Sequence, residues 1–96
     1  FSSDYTAVEA INYFTDRGIR IPDQISITGF DDNFYAQIVR PKLTTIHQDP
    51  QALGRKAAEK ALSLIDSATF GIDLGEPFET ARTFLAIRNT TAAPRR

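Results

Sequence analysis

The feature that most restricts the fold of this chain is a helical pattern of apolar residues followed closely by a run of β-branched residues. Apolar side chains near the start recur at helical spacing, and Gly18 suits the left-handed position that ends a helix. After a short connection, residues 24–30 carry β-branched side chains in partial alternation, which predicts a strand. A helix that leads over so short a link into a strand is typical of α/β proteins. The predicted helical face consists of Ala7, Val8, Ile11 and Phe14.

A second helix is predicted in the middle of the chain. Asp49 is a good N-cap, and Pro50 occupies the first helical position, where proline is favoured. We expect this helix to end near Asp66 and Gly54 to mark a place where another group packs closely. Its apolar stripe consists of Leu53, Ala57, Ala61, Leu64 and Ile65.

The remaining segments complete the order α-β-β-α-β. Residues 43–47 predict a second short strand, and a single helical turn is expected around Phe34. Residues 78–87 alternate well enough to predict a third strand. This order predicts an α/β fold with a mostly parallel sheet flanked by helices.

Composition excludes several classes of protein. The 96 residues carry a net charge of −1, which is not the basic footprint that nucleic-acid binding needs. The absence of cysteine excludes a disulfide scaffold and a cysteine-based zinc site. We find no apolar run as long as the roughly 18 residues of a membrane span. Because the chain begins at Phe1 and has no methionine, we expect it to be part of something longer.

Two polar segments are candidates for ligand binding. Asp31 follows the predicted 24–30 strand, and ligands of open α/β sheets bind beyond the carboxyl ends of strands. A carboxylate there could accept hydrogen bonds from sugar hydroxyls, although Asp31 and Asp32 could equally form a solvated Asx turn. Ser3 and Asp4 are expected beside Asp31 on the same rim, meaning the edge of the sheet at the carboxyl ends of its strands. They could serve there as a second ligand contact or as the N-cap of the first helix.

The sequence offers no catalytic or metal site. His47 is the one histidine, without a cysteine nucleophile or a set of further metal ligands around it. Glycine-rich phosphate-binding motifs are absent as well. We therefore expect a protein that is not an enzyme and holds neither a metal nor a cofactor.

Several segments in order resemble the C-terminal part of LacI/GalR-family bacterial repressors. They are Ile21-Pro22-Asp23-Gln24-Ile25-Ser26-Ile27-Thr28-Gly29-Phe30-Asp31-Asp32, Pro41-Lys42-Leu43-Thr44-Thr45-Ile46-His47-Gln48, Leu53-Gly54 with Ala57, and Arg88-Asn89-Thr90-Thr91. The resemblance implies part of a type I periplasmic-binding-protein-like fold of two lobes, with a sugar or sugar derivative bound between them as the effector. It implies that a DNA-binding domain elsewhere in the parent protein binds operator DNA. It also implies that the parent protein is cytoplasmic and does not bind a membrane.

The resemblance also implies roles for individual residues. Asp31 is the expected effector contact, and Ser3 stands where the family often has an asparagine. Gln48, at a crossing between the lobes, is expected to line the cleft. Such repressors dimerise through the C-terminal lobe, which makes Val8, Asn12 and Val39 candidates for a homodimer interface.

The same resemblance implies how the chain divides between the lobes. Residues 1–48 are expected mainly in the C-terminal lobe, 49–76 on the other lobe, 77–91 in the returning strand and 92–96 in a tail. The 50–66 helix would then lack its partner in this chain alone, so we expect a second copy or further parts of the molecule to cover it. The alternative is a fragment of a periplasmic sugar-binding protein of an uptake system, which the Leu43-Thr44-Thr45 segment disfavours.

Overall fold

A computed structural model describes residues 1–70 and 80–94. It divides the chain into two compact units, Phe1–His47 with Thr83–Arg96, and Gln48–Arg82. In chain order, the described elements are α1 (Asp4–Asp16), α2 (Phe34–Ile38), β1 (Thr45–His47), α3 (Pro50–Phe70) and β2 (Phe84–Ala86).

Local sequence signals determine both ends of α1. Ser3 is the N-cap, with an extended φ of −146° and an Oγ that accepts a hydrogen bond from the Tyr5 amide at 3.2 Å. At the other end Gly18 adopts a φ of +73°, and the Ile19 amide donates to the Phe14 carbonyl at 2.9 Å. The predicted left-handed glycine after the helix is therefore confirmed.

The prediction of a regular strand over residues 24–30 is wrong in its extent. The chain first makes a turn, in which the Gln24 amide donates to the Arg20 carbonyl at 2.8 Å. Parallel pairing then occurs as two isolated bridges, Thr28 with Thr44 and Asp31 with His47. The turn includes only the start of the segment, and the Ile27 amide donates to the Thr90 carbonyl at 2.9 Å, so the segment pairs at separate places and not as a regular strand.

The regular ladder of the described residues is antiparallel. β1 and β2 pair with Thr45 opposite Ala86, Ile46 opposite Leu85 and His47 opposite Phe84. Parallel pairing with the 27–31 segment flanks β1 as well, through hydrogen bonds from Gly29 to Thr44 and from Asp31 to Ile46 at 3.0 and 2.9 Å. The predicted third strand is thus confined to residues 84–86, and residues 78 and 79 lie outside the described part of the chain.

The core of the first unit lies between α1, α2 and the extended segments. Its buried apolar side chains are Ala7, Ile11, Ile27, Ala36 and Leu43. Gly29 allows α1 to approach this layer closely, because a Cβ there would meet the Asp4 carboxylate and lie 2.9 Å from Leu43 Cδ2. The start of α1 is thereby held against the strand segment that ends at Asp31.

The second unit contains α3, which begins at the predicted residue. The Asp49 carboxylate accepts hydrogen bonds from the amides of Gln51 and Ala52 at 3.0 and 3.2 Å. The helix continues to Phe70, four residues beyond the predicted end at Asp66. Apart from its chain neighbours and the helix's own backbone, no described atom lies within 4 Å of the position that a Cβ on Gly54 would take, so the close packing expected there stays a prediction.

Candidate functional site

Asp31 lies at the end of the 27–31 segment in an unusual backbone conformation. Its backbone φ is +115°, a value that residues other than glycine rarely adopt. Its amide donates to the Ile46 carbonyl at 2.9 Å, and the residue pairs in a parallel bridge with His47. The residue as a whole is exposed. This is the place at the end of a strand segment where the sequence predicts a ligand carboxylate.

Asp32 performs a different task from its neighbour. Its φ is +61°, and its side chain is only 6% exposed. His47 Nδ1 lies 2.8 Å from Asp32 Oδ2, and an Arg88 guanidinium nitrogen lies 2.7 Å from Oδ1, an atom that receives no well-aligned hydrogen bond. Asp32 is thus a buried anion between two cationic or hydrogen-bonding groups.

The environment of Asp32 favours its ionised form. Burial raises the pKa of this carboxyl, but the hydrogen bond with His47 and the guanidinium of Arg88 outweigh burial. The pKa of Asp32 therefore lies below its ordinary value. An ionised carboxylate only accepts hydrogen bonds, so we assign the proton of the imidazole to Nδ1.

Asp4 is a structural anchor below this rim. It is fully buried, and its two carboxylate oxygens accept hydrogen bonds from the Asn33 amide at 2.8 Å and the Thr45 hydroxyl at 2.6 Å. Its own amide donates to the Phe30 carbonyl at 3.2 Å. These contacts bring the start of α1, and with it the half-buried Ser3, to the segment that carries Asp31.

The other predicted site residues lie in different surroundings. Gln48 is half-buried and is the first residue of the second unit. Val8 and Val39 are partly buried and pack against the core of the first unit, while Asn12 is exposed on α1. Their roles in effector binding and dimerisation stay predictions.

The association of Asp32, His47 and Arg88 was not predicted. The sequence analysis considered His47 only as a base or metal ligand and treated Asp32 as the neighbour of Asp31. The one available signal is a set of three ionisable residues at three predicted strand ends, which become a cluster only when the strands are paired. Among the described residues, no group of three acidic or histidine side chains could hold a metal ion, and no helix is long and apolar enough to cross a membrane.

Comparison with known proteins identifies the family. Residues 1–80 match the model of the periplasmic binding protein-like domain. Over 70 residues, or 73% of the chain, the sequence is 39% identical to the transcriptional repressor PurR of Haemophilus influenzae, and over 65 residues, or 68%, it is 40% identical to the transcriptional regulator GalR of Escherichia coli. The chain belongs to the LacI/GalR family.

Solved structures of LacI-family proteins share the fold. A Lac repressor dimer bound to operator and the anti-inducer ONPF matches 96% of the chain with a TM-score of 0.85 at 29% identity. A LacI-family regulator from Lactobacillus casei with bound sucrose matches 94% with a TM-score of 0.66 at 28% identity. The prediction of a partial type I periplasmic-binding-protein-like α/β fold is thereby confirmed.

The LacI/GalR relatives are much longer than this chain. The chain covers 21% of the PurR sequence and 19% of the GalR sequence. It covers 30% of the Lac repressor chain. These relatives are transcriptional regulators by name, not enzymes or transport proteins.

Proposed function

We propose that this chain is the sugar-effector-binding and dimerisation segment of a LacI-type regulator. In this proposal the Phe1–His47 unit with its returning segment belongs to the C-terminal lobe, and the Gln48–Arg82 unit belongs to the other lobe. A sugar that binds between the lobes changes the affinity of the parent protein for operator DNA by shifting the population of two conformations. The segment binds its effector without chemical turnover, and the parent protein acts in the cytoplasm.

The observation that carries this proposal is the position of Asp31. Its carboxylate is on an exposed residue at the end of a strand segment, where ligands of α/β sheets bind. The adjacent Asp32 is buried and held by two partners, so the turn below Asp31 is rigid. A rigidly held carboxylate binds sugar hydroxyls well because little conformational freedom is lost on binding.

Replacement of one carboxylate tests the effector role. We expect Asp31→Asn to weaken sugar binding by the complete protein about 10- to 100-fold, since a hydrogen bond to a charged group contributes about 1.5–3 kcal/mol. Binding of D-glucose, D-galactose and sucrose is measured by isothermal titration calorimetry. Asp23→Asn is the matched control, because Asp23 is exposed and its one described ion pair, with Arg20, is 3.7 Å long. Equal affinities of wild type and Asp31→Asn would contradict the proposal.

The link to DNA is tested separately. We expect the tightest-binding sugar to change the affinity of the complete protein for an operator duplex, measured by fluorescence anisotropy. We also expect a helix-turn-helix in the coding sequence upstream of Phe1. A cleavable signal peptide in that position would instead identify a periplasmic sugar-binding protein.

The dimer interface is proposed on the exposed side of α1 and the loop after α2. Asn12 is exposed there, and the Tyr5 and Tyr35 rings, 5.4 Å apart, join the two helices into one surface. We expect Asn12→Arg to shift the complete protein toward monomer in sedimentation-velocity experiments. Gln51→Arg, at an exposed position of α3, is the control. An unchanged dimer in Asn12→Arg would refute the assigned interface.

A further inference from the structure

We infer that His47 is a positioning residue that holds the Asp31 carboxylate in its ligand-binding orientation. This inference rests on the proposed role of Asp31. His47 is joined to the Asp31–Asp32 turn twice, by backbone pairing with Asp31 and by a 2.8 Å hydrogen bond from its side chain to Asp32. No other described residue pairs with Asp31 in a bridge and also binds the Asp32 side chain.

The turn needs such support because its backbone is strained. Asp31 and Asp32 are consecutive non-glycine residues with φ values of +115° and +61°. Conformations of this kind are sparsely populated and persist only where the surrounding structure enforces them. Because Asp32 is anchored by its buried carboxylate, its backbone is held, and the φ of the preceding Asp31 is held with it. Loss of the anchor would let the turn relax and move the Asp31 side chain.

The two anchors of Asp32 differ in what they connect. Arg88 also donates a hydrogen bond to the Leu43 carbonyl at 3.0 Å, so its guanidinium is part of the packing of the first unit. His47 instead stacks its ring on Phe84 of β2, with ring centroids 4.7 Å apart and planes inclined by 27°. The stack fixes the plane of the imidazole, and that plane directs the Nδ1–H toward Asp32 Oδ2.

The His47–Phe84 pair also lies at both places where the chain leaves and re-enters the first unit. His47 is the last residue before the second unit begins, and Phe84 is the second residue after it ends. They are opposite each other in the antiparallel register. The Asp31 turn is therefore connected through one imidazole to both chain crossings.

Two substitutions separate the hydrogen bond from the stack. His47→Asn retains an N–H donor near the position of Nδ1 and removes the ring, whereas His47→Phe retains a ring that stacks on Phe84 and removes the donor. If the donor positions Asp31, His47→Phe weakens binding of the tightest of D-glucose, D-galactose and sucrose about 10-fold. His47→Asn stays within about 3-fold of wild type, which is the rescue by the variant that keeps the donor.

A double-mutant cycle with Asp31→Asn distinguishes positioning from general stability. We expect His47→Phe to change sugar affinity by less than 2-fold once the Asp31 carboxylate is gone, because it acts through that group. An equal loss of affinity in both backgrounds would overturn the inference. If wild type binds none of the three sugars, the proposed function fails, and the positioning of Asp31 by His47 is then decided by hydrogen exchange without a ligand.

A measurement without ligand tests the same inference on the backbone. The Asp31 amide donates to the Ile46 carbonyl, so its hydrogen exchange reports directly on the turn. We expect His47→Phe to accelerate exchange of this amide at least 10-fold in the complete protein, while His47→Asn leaves it close to wild type. Unchanged exchange in His47→Phe would refute a positioning role even if the sugar affinity changed.

Discussion

The hydroxyl of Thr90 makes a sharp test of how the first unit is held together. Thr90 is fully buried, and its Oγ1 donates to the Ile27 carbonyl at 2.6 Å and accepts from the Thr44 amide at 2.9 Å. These two bonds join the returning segment to both extended segments below the Asp31 rim. Thr90→Val removes both bonds and replaces the hydroxyl by a methyl group of similar volume.

The expected cost follows from the groups that lose their partners. A buried donor or acceptor without a partner costs about 1–3 kcal/mol, so the Thr44 amide and the Ile27 carbonyl together cost about 2–6 kcal/mol. The additional methyl group offsets about 0.8 kcal/mol of this. We therefore expect Thr90→Val to lower the free energy of unfolding by about 3 kcal/mol.

Urea unfolding of the complete protein, followed by circular dichroism, measures this change from the midpoint and slope. Thr15→Val is the matched control, since Thr15 is exposed near the end of α1, and we expect it within about 0.5 kcal/mol of wild type. A loss below about 1 kcal/mol in Thr90→Val would refute the reasoning, because it would show that the two groups find other partners.

Three further changes test separate features. Gly29→Ala is expected to cost at least about 1–3 kcal/mol, because the new Cβ would meet the Asp4 carboxylate and lie 2.9 Å from Leu43 Cδ2; thermal unfolding measures it. Gly54→Ala tests the close packing predicted for α3: in the same measurement it stabilises the protein by up to about 1 kcal/mol if the position is open, as it is among the described residues, and destabilises it if another part of the complete protein packs there. Because the pKa of Asp32 is lowered in the folded protein, its ionised carboxylate stabilises the fold above the ordinary aspartate pKa of about 4. This stability is lost as the pH falls through the folded-state pKa. We therefore expect Asp32→Asn to reduce the dependence of the free energy of unfolding on pH in the acid range.

Features that depend on neighbouring residues were predicted well. The N-cap of α1 and the start of α3 at Asp49-Pro50 follow from side chains that bond to amides two or three positions away, and the end of α1 follows from the positive φ of Gly18. The ends of extended segments were predicted less well. Residues 24–30 contain strand-forming side chains, but whether they pair is decided by Thr44 and by Thr90, which bonds to the Ile27 carbonyl from 63 residues along the chain.

The candidate site shows the same division. The position of Asp31 at the end of a strand-like segment was predicted because a carboxylate directly after such a segment is a local pattern, and its role in binding stays a prediction. The bond between Asp32 and His47 joins residues 15 positions apart. Arg88, which contacts the same carboxylate, follows the second unit in the sequence. No spacing rule connects these three residues, because their proximity results from the pairing of β1 with two other segments.

Two adjacent aspartates can take opposite roles only because of the backbone that they share. In a regular strand, consecutive side chains point alternately to the two faces of the sheet. At Asp31 and Asp32 the strand ends in two residues of positive φ, of which Asp32 lies in the left-handed region that aspartate tolerates better than most residues. One carboxylate can then turn inward to Arg88 and His47 while its neighbour lies on the exposed rim. We therefore propose that the buried charge of Asp32 determines the shape of the turn and that the exposed charge of Asp31 meets the ligand.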